Sequence, residues 1–325
     1  SYLWCGATDW SEAINRYTDN VIGNADDRLL PESTMVVDKV SQSRFIKNQA
    51  TIYRLYQDVD PEYADRCLKA AARCYDYFEN TWPLVTDYET TFSARPYLEK
   101  VTDLMPLAYG VRANLSMYLA TENSPYKDRA VALADQLMAL QETEYIEGQK
   151  EVRGFFYADA DKDSIFSSYM AHGGLDGAPG AVIVLVDLCE ALPSHSKRPQ
   201  WQESLRSYLE DYLLPLSNKN AFGIVPGYLS RKPLVGGRHV GGLHYQYLDD
   251  NRGVNKFLVR KAILLAKGAR ILGNPELRDV AWRQVGWILG NNPLNASTVY
   301  GAGQGQPKIY KGHLSPRSDV MLVQG

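Results

Sequence analysis

Two acidic side chains stand side by side in HYQYLDDNRGVN, at Asp249 and Asp250, in a segment that also supplies His239, His244, Tyr245, Asn251 and Arg252. A carboxylate among hydrogen-bond donors can move a proton to or from a bound hydroxyl, which is general acid–base chemistry. Tyrosine adds a flat apolar face with a polar edge, and arginine a planar fork of donors. A second pair, Asp26 and Asp27 in NADDRLLPES, lacks such company. Adjacent acids are ordinarily solvated or salt-bridged at the surface. The neighbours therefore rank the first pair above the second: Asp250 is the candidate catalytic group, with Tyr245, Asp249 and Arg252 as candidate ligand-binding residues.

Two more histidines lie in loops. His172 stands in SSYMAHGGLDGAPG, just ahead of an apolar run, and His313 precedes Arg317 in GHLSPRS. Imidazole and guanidinium can clamp hydroxyls or a carboxylate, whereas an isolated loop histidine is ordinarily structural. The run Asp159-Ala160-Asp161-Lys162-Asp163 alternates oxygen ligands as a calcium loop does. Ser164, however, stands where an EF-hand needs glycine, and Met170 where it needs the closing glutamate. An irregular structural calcium site at this run is the single metal expectation; otherwise no cofactor is expected. Gly301, Gly303 and Gly305 follow no strand and precede no Lys-Ser/Thr pair, which argues against phosphate binding, and no nucleophile-elbow motif is present.

The elements that must carry these residues read as helices. Apolar residues recur at three- and four-residue steps over 61–77, 96–121, 125–141, 178–192, 199–214, 254–272 and 275–289, several opened by proline. Sustained period-two alternation is scarce. Between the helices lie loops rich in Gly, Pro, Asp and aromatic residues at 80–91, 145–177 and 217–253, and from 291 onward. Loops this long in a compact domain are usually functional. Helix pairs joined alternately by short and long connections predict an all-α toroid of hairpins, with the long loops forming a cleft at one end. No Pro- or Ser-rich linker divides the chain, so residues 1–325 read as one domain.

Composition narrows the partners. A formal net charge of −3 gives no basic footprint for nucleic acid, and no apolar run reaches the length of a membrane span. Twenty-two Tyr and six Trp suit a sugar cleft and equally a large aromatic core. The four cysteines form no Cys-x-x-Cys pair. Cys67 and Cys74, seven apart on one helical pattern, lie about 10 Å apart, so both read as buried thiols. Asn114-Leu115-Ser116 and Asn295-Ala296-Ser297 fit the glycosylation triplet.

The segment AWRQVGWILGNNPLNASTVYGAGQGQP, 281–307, followed by KIYKGHLSPRSDV, resembles the C-terminal signature of glycoside hydrolase family 9: a helix, an LGxNP turn, a Gly-rich turn, then a His/Arg loop. YQDVDPEYADRCLKAAARCYDYF, 56–78, and RGVNKFLVRKAILLAKGARILGNPELRDVAWRQ resemble further helices of that family. The resemblance implies an (α/α)6 barrel, inverting hydrolysis of β-glucans, a carbohydrate partner, and a secreted, periplasmic or extracellular location. Inverting hydrolysis needs an acid and a base about 6.5 to 9.5 Å apart across a cleft. The family's W-x-D-A-G-D stretch is matched by Trp4-Cys5-Gly6-Ala7-Thr8-Asp9, which keeps only its second aspartate and makes Asp9 a catalytic candidate. The family's His-His-Arg is represented by His313-Leu314-Ser315-Pro316-Arg317, and no residue matches its general-acid glutamate. The resemblance thus implies a barrel domain shorter than the family's, one that binds glucan better than it cleaves it. Two alternatives stay open: a related helical-barrel enzyme acting on acidic sugars, and a sugar-binding barrel without activity.

Overall fold

The computed structural model describes residues 39–81, 104–145, 152–162, 165, 180–225, 228–230, 234–235, 238–239, 244–246, 255–299 and 301–305. Chain contacts divide the protein into two compact units, Ser1–Val101 with Arg112–Ala130, and Thr102–Val111 with Val131–Gly325.

In the first unit, helices α1 (Lys39–Tyr56) and α2 (Pro61–Thr81) form a hairpin. Helix α2 starts as its sequence predicts. Asp60 Oδ1 accepts a hydrogen bond from Tyr63 N at 2.9 Å, Pro61 occupies the first turn, and Glu62 faces the positive end of the helix dipole. Ala64, Cys67, Ala71 and Cys74 follow at helical spacing and all are buried. Of these, Ala71 and Cys74 cluster with Ile46 and Ala50 of α1, and with Ala113 and Met117 of α3 (Leu104–Thr121). Burial pushes the Cys74 thiol up to about 11, and its Sγ donates to Gln42 Oε1 at 3.0 Å. Cys67, Cys74 and Cys189 are free and buried, as expected.

The second unit takes in the start of α3 and the end of α4 (Ser124–Met138), where Gly110 lets Leu133 approach. It continues through α5 (Ile183–Ala191), α6 (Arg198–Arg206), a π-helical turn (Ser207–Leu213), α7 (Leu214–Ser217), α8 (Asn255–Leu272) and α9 (Pro275–Ile288). Helix α5 buries six of its nine residues, as a helix enclosed by others must. Trp201 of α6 is fully buried with His195 stacked on it, ring centroids 5.0 Å apart. Asn274 caps α9 by accepting from Glu276 N at 3.0 Å.

The structure departs from the sequence reading at four places. Helix α1 lies outside the predicted set. The predicted helix 178–192 begins only at Ile183, behind a turn in which Gly180 takes φ 91°. The predicted helix 199–214 turns into the π turn over its C-terminal half. The predicted loop 217–253 contains two short antiparallel ladders, β1 (Tyr228–Ser230) with β4 (His244–Gln246) and, nested between them, β2 (Leu234–Val235) with β3 (Arg238–His239).

Candidate functional site

Of the candidate residues, Tyr245 has a described backbone: it stands in β4 opposite Leu229, with His244 opposite Ser230. The nested ladders thus give the segment ahead of Asp249 a defined register. Asp9, His172, Asp249, Asp250, Arg252, His313 and Arg317 lie outside the described residues.

What is described are the scaffolds that lead to several of these residues. Beyond α9 the chain folds back on itself. Asn292 Nδ2 donates to Trp287 O at 2.8 Å and to Ala296 O at 2.7 Å, while Gln304 N donates to Leu289 O at 2.9 Å. Gly303 has φ 79°, and a Cβ there would overlap the Leu289 carbonyl. Asn255, the first residue of α8, donates through Nδ2 to Thr298 Oγ1 at 2.7 Å. The start of α8 and the turn 289–305 are therefore one hydrogen-bonded platform, from which the chain continues toward His313. Gln284, fully buried in α9, accepts from Val225 N and donates to Gly223 O, each at 2.9 Å. That fixes the point where the chain leaves for the β1–β4 ladders.

A third scaffold holds residues 152–158. Gln141 Nε2 donates to Gly154 O at 2.8 Å and Ser204 O at 2.9 Å, and Ser204 Oγ donates to Gln141 Oε1 at 2.6 Å. Arg153 Nε reaches Asp211 Oδ2 at 3.0 Å within the π turn, and Arg153 N donates to Asp211 O at 3.2 Å. Phe155, Phe156 and Tyr157 are buried behind these contacts. The acidic run follows directly. Asp159 Oδ1 is buried without a hydrogen-bond partner among the described residues, and Lys162 turns away to lie 5.3 Å from the Tyr157 ring centre. No group of three His, Cys, Asp or Glu gathers among the described residues, and Asp163 lies outside them.

The sequence reading missed Gln141, Gln284, Arg260 and Lys261, all buried. Their signal is a polar residue on the apolar face of a predicted helix. Asn114 of the first glycosylation triplet is fully buried and accepts from Tyr75 Oη at 2.6 Å, so it is closed to modification in the folded chain.

The family model described as Glycosyl hydrolase family 9 matches residues 48–314. No curated protein sequence matches the chain. Among solved structures, a metagenome-derived glycoside hydrolase family 9 endoglucanase is similar with a TM-score of 0.52 at 16% identity, over 83% of this chain and 40% of its own. A variant of a thermostable endoglucanase from Alicyclobacillus acidocaldarius gives 0.50 at 16%, over 86% of this chain and 45% of its own. An endoglucanase from the termite Nasutitermes takasagoensis gives 0.49 at 16%, over 83% and 48%. The chain thus spans less than half the length of these endoglucanases. Helical hairpins with little sheet, shared with the first two, define an all-α fold of the (α/α)6-barrel class. The chain belongs to glycosyl hydrolase family 9. No helix among the described residues is long and apolar enough to cross a membrane.

Proposed function

We propose that residues 1–325 act as one (α/α)6-barrel domain that binds β-linked glucan in a cleft formed by the long connections. The proposed ligand contacts are His172, Tyr245, Asp249, Arg252, His313 and Arg317. Asp9 and Asp250 are the carboxylates proposed for catalysis, and the domain is proposed to work outside the cell. The observation that carries this reading is the family match over 48–314. It is supported by the platform at 289–305, which holds the LGxNP turn of the signature in one hydrogen-bonded arrangement. Stacking on aromatic rings and hydrogen bonds from histidine and arginine require neither catalytic acid, so affinity and turnover are separable.

The test is binding and hydrolysis of a soluble β-glucan by the chain and by its Asp9→Asn and Asp250→Asn variants. The expected result is saturable binding in all three with slow hydrolysis, reduced by about 10² or more in the variant that lost its acid or base. Absence of glucan binding by the unmodified chain overturns the proposal.

A further inference from the structure

The π turn holds a second polar arrangement, in which none of the candidate residues takes part. Residues 142–145 and 153–155 are tied side by side, Gly154 N donating to Glu142 O at 2.7 Å and Glu142 N to Phe155 O at 2.8 Å. Gly154 takes φ 82°, and a Cβ there would fall 2.3 Å from Ser207 O, so glycine alone lets this segment lie against the turn. The neighbouring Arg153 is thereby laid on Asp211. Its backbone N donates to Asp211 O at 3.2 Å and its Nε to Asp211 Oδ2 at 3.0 Å, while Ser207 Oγ donates to the same Oδ2 at 3.1 Å. The Arg153 Cζ also lies 5.1 Å from the ring centre of Tyr145, which is 48% exposed.

Three groups are thus fixed in mutual position and reach solvent. The side chains of Arg153 and Asp211 are 40% and 29% exposed. Their pairing runs through Nε and Oδ2, which leaves the two Nη groups as donors and Oδ1 as an acceptor. An ion pair this exposed adds little stability, and π turns are found frequently at functional sites. The pair is neutral as a whole, so it favours neither an anion nor a cation. It offers donors and an acceptor side by side, the complement of two adjacent hydroxyls, each of which both donates and accepts. The Tyr145 ring adds an apolar surface for the C–H groups of a sugar ring.

We propose that Tyr145, Arg153 and Asp211 form a neutral-sugar subsite that takes two vicinal hydroxyls of one unit of a β-linked glucan. Arg153 Nη donates to one hydroxyl, Asp211 Oδ1 accepts from the next, and Tyr145 packs on the sugar ring. The assignment to glucan rests on the glucan-binding reading above. The recognition of a vicinal diol rests on the arrangement at the π turn.

The experiment is calorimetric titration of the full chain with β-linked oligosaccharides of glucose, and with xylose and mannose oligosaccharides of equal length. Unmodified protein is compared with Tyr145→Ala, Tyr145→Phe, Arg153→Lys and Asp211→Asn, each checked for folding by circular dichroism. Affinity for the glucose oligosaccharide is expected to fall about fivefold in Tyr145→Ala, and about tenfold or more in Arg153→Lys and Asp211→Asn, with Tyr145→Phe keeping the parent affinity. Tyr145 is half exposed, so its alanine variant keeps the test open if the two ion-pair variants do not fold. Parent affinity in Tyr145→Ala, or in a folded Asp211→Asn, overturns the subsite and leaves the glucan reading intact. A chain that ignores the glucose oligosaccharide but binds the xylose or mannose one through Tyr145 and Asp211 sinks the glucan reading and leaves the subsite standing. Binding of none of the three overturns both.

Discussion

Lys261 shows what a single buried charge does to the stability of this chain. Burial lowers its ammonium from the ordinary 10.5 to about 7, because the surroundings disfavour the charged form. Between about pH 7 and 10.5 the unfolded chain holds a proton at this position that the folded chain has released. The unfolded state then binds more protons, so stability rises with pH across that window, at up to about 1.4 kcal/mol per pH unit. Below the window both states carry the charge, and the folded state bears the cost of burying it. Replacing Lys261 by Met keeps the length of the side chain and removes the charge. The expected outcome is a variant more stable than the parent at pH 6 to 7 by about 2 kcal/mol or more, the advantage fading toward pH 10. Urea midpoints at a series of pH values check this, and parallel pH profiles for the two proteins would refute it.

At the scale of elements, the turn at 289–305 depends on two close backbone approaches, Gly303 against Leu289 and Gly305 against Asn295. Gly303 takes φ 79°, and any Cβ there would overlap the Leu289 carbonyl that accepts from Gln304 N. Gly303→Ala should therefore cost about 2 kcal/mol or more, from left-handed backbone strain and a displaced hydrogen bond. A thermal denaturation midpoint unchanged by this substitution would show that the turn is not fixed as described. Glycines and Asn-Pro mark such a turn plainly, and the regular apolar spacing of α2, α8 and α9 made those helices readable to within a few residues. Helix α1 was not readable, because its buried face mixes Ile46 and Ala50 with Gln42 and Ser43, and an apolar stripe interrupted by polar residues loses its period. The π turn was invisible for another reason: Ser207–Leu213 keeps helical composition while shifting only the hydrogen-bond register, which leaves no mark in residue type. Strands of two and three residues, as in β1 to β4, are too short to show alternation. Of the candidate site, the residues around Asp249 and Asp250 supplied the roles expected there, and the family resemblance supplied those of Asp9, His313 and Arg317. Arg260 and Lys261 were passed over because long basic side chains ordinarily carry their charge out to solvent from beside an apolar face, which makes a basic residue on that face a weak signal of burial.

For the whole molecule, the charge balance decides how a glucan can be held. Thirty-five basic residues face thirty-eight acidic ones, and several exposed cations are already matched locally, Arg66 with Glu62 at 2.8 Å, Lys69 with Asp65 at 2.6 Å and Arg206 with Glu203 at 2.7 Å. Such pairs add little stability, and a formal net charge of −3 gives the chain no excess of positive charge to draw in a polyanion. A neutral glucan brings no counterions to release, so its binding through ring stacking and hydrogen bonds should barely respond to salt. A polyanion held on surface lysines would weaken steeply instead. The expected outcome is a dissociation constant for soluble β-glucan that changes by less than about twofold between about 50 and 500 mM NaCl, with no retardation of duplex DNA. Affinity electrophoresis in glucan-containing gels across that salt series checks the first statement, and a gel-shift titration with duplex DNA the second. A glucan affinity that collapses as salt rises would place the binding on exposed Lys and Arg and remove the basis for an aromatic, hydrogen-bonding cleft.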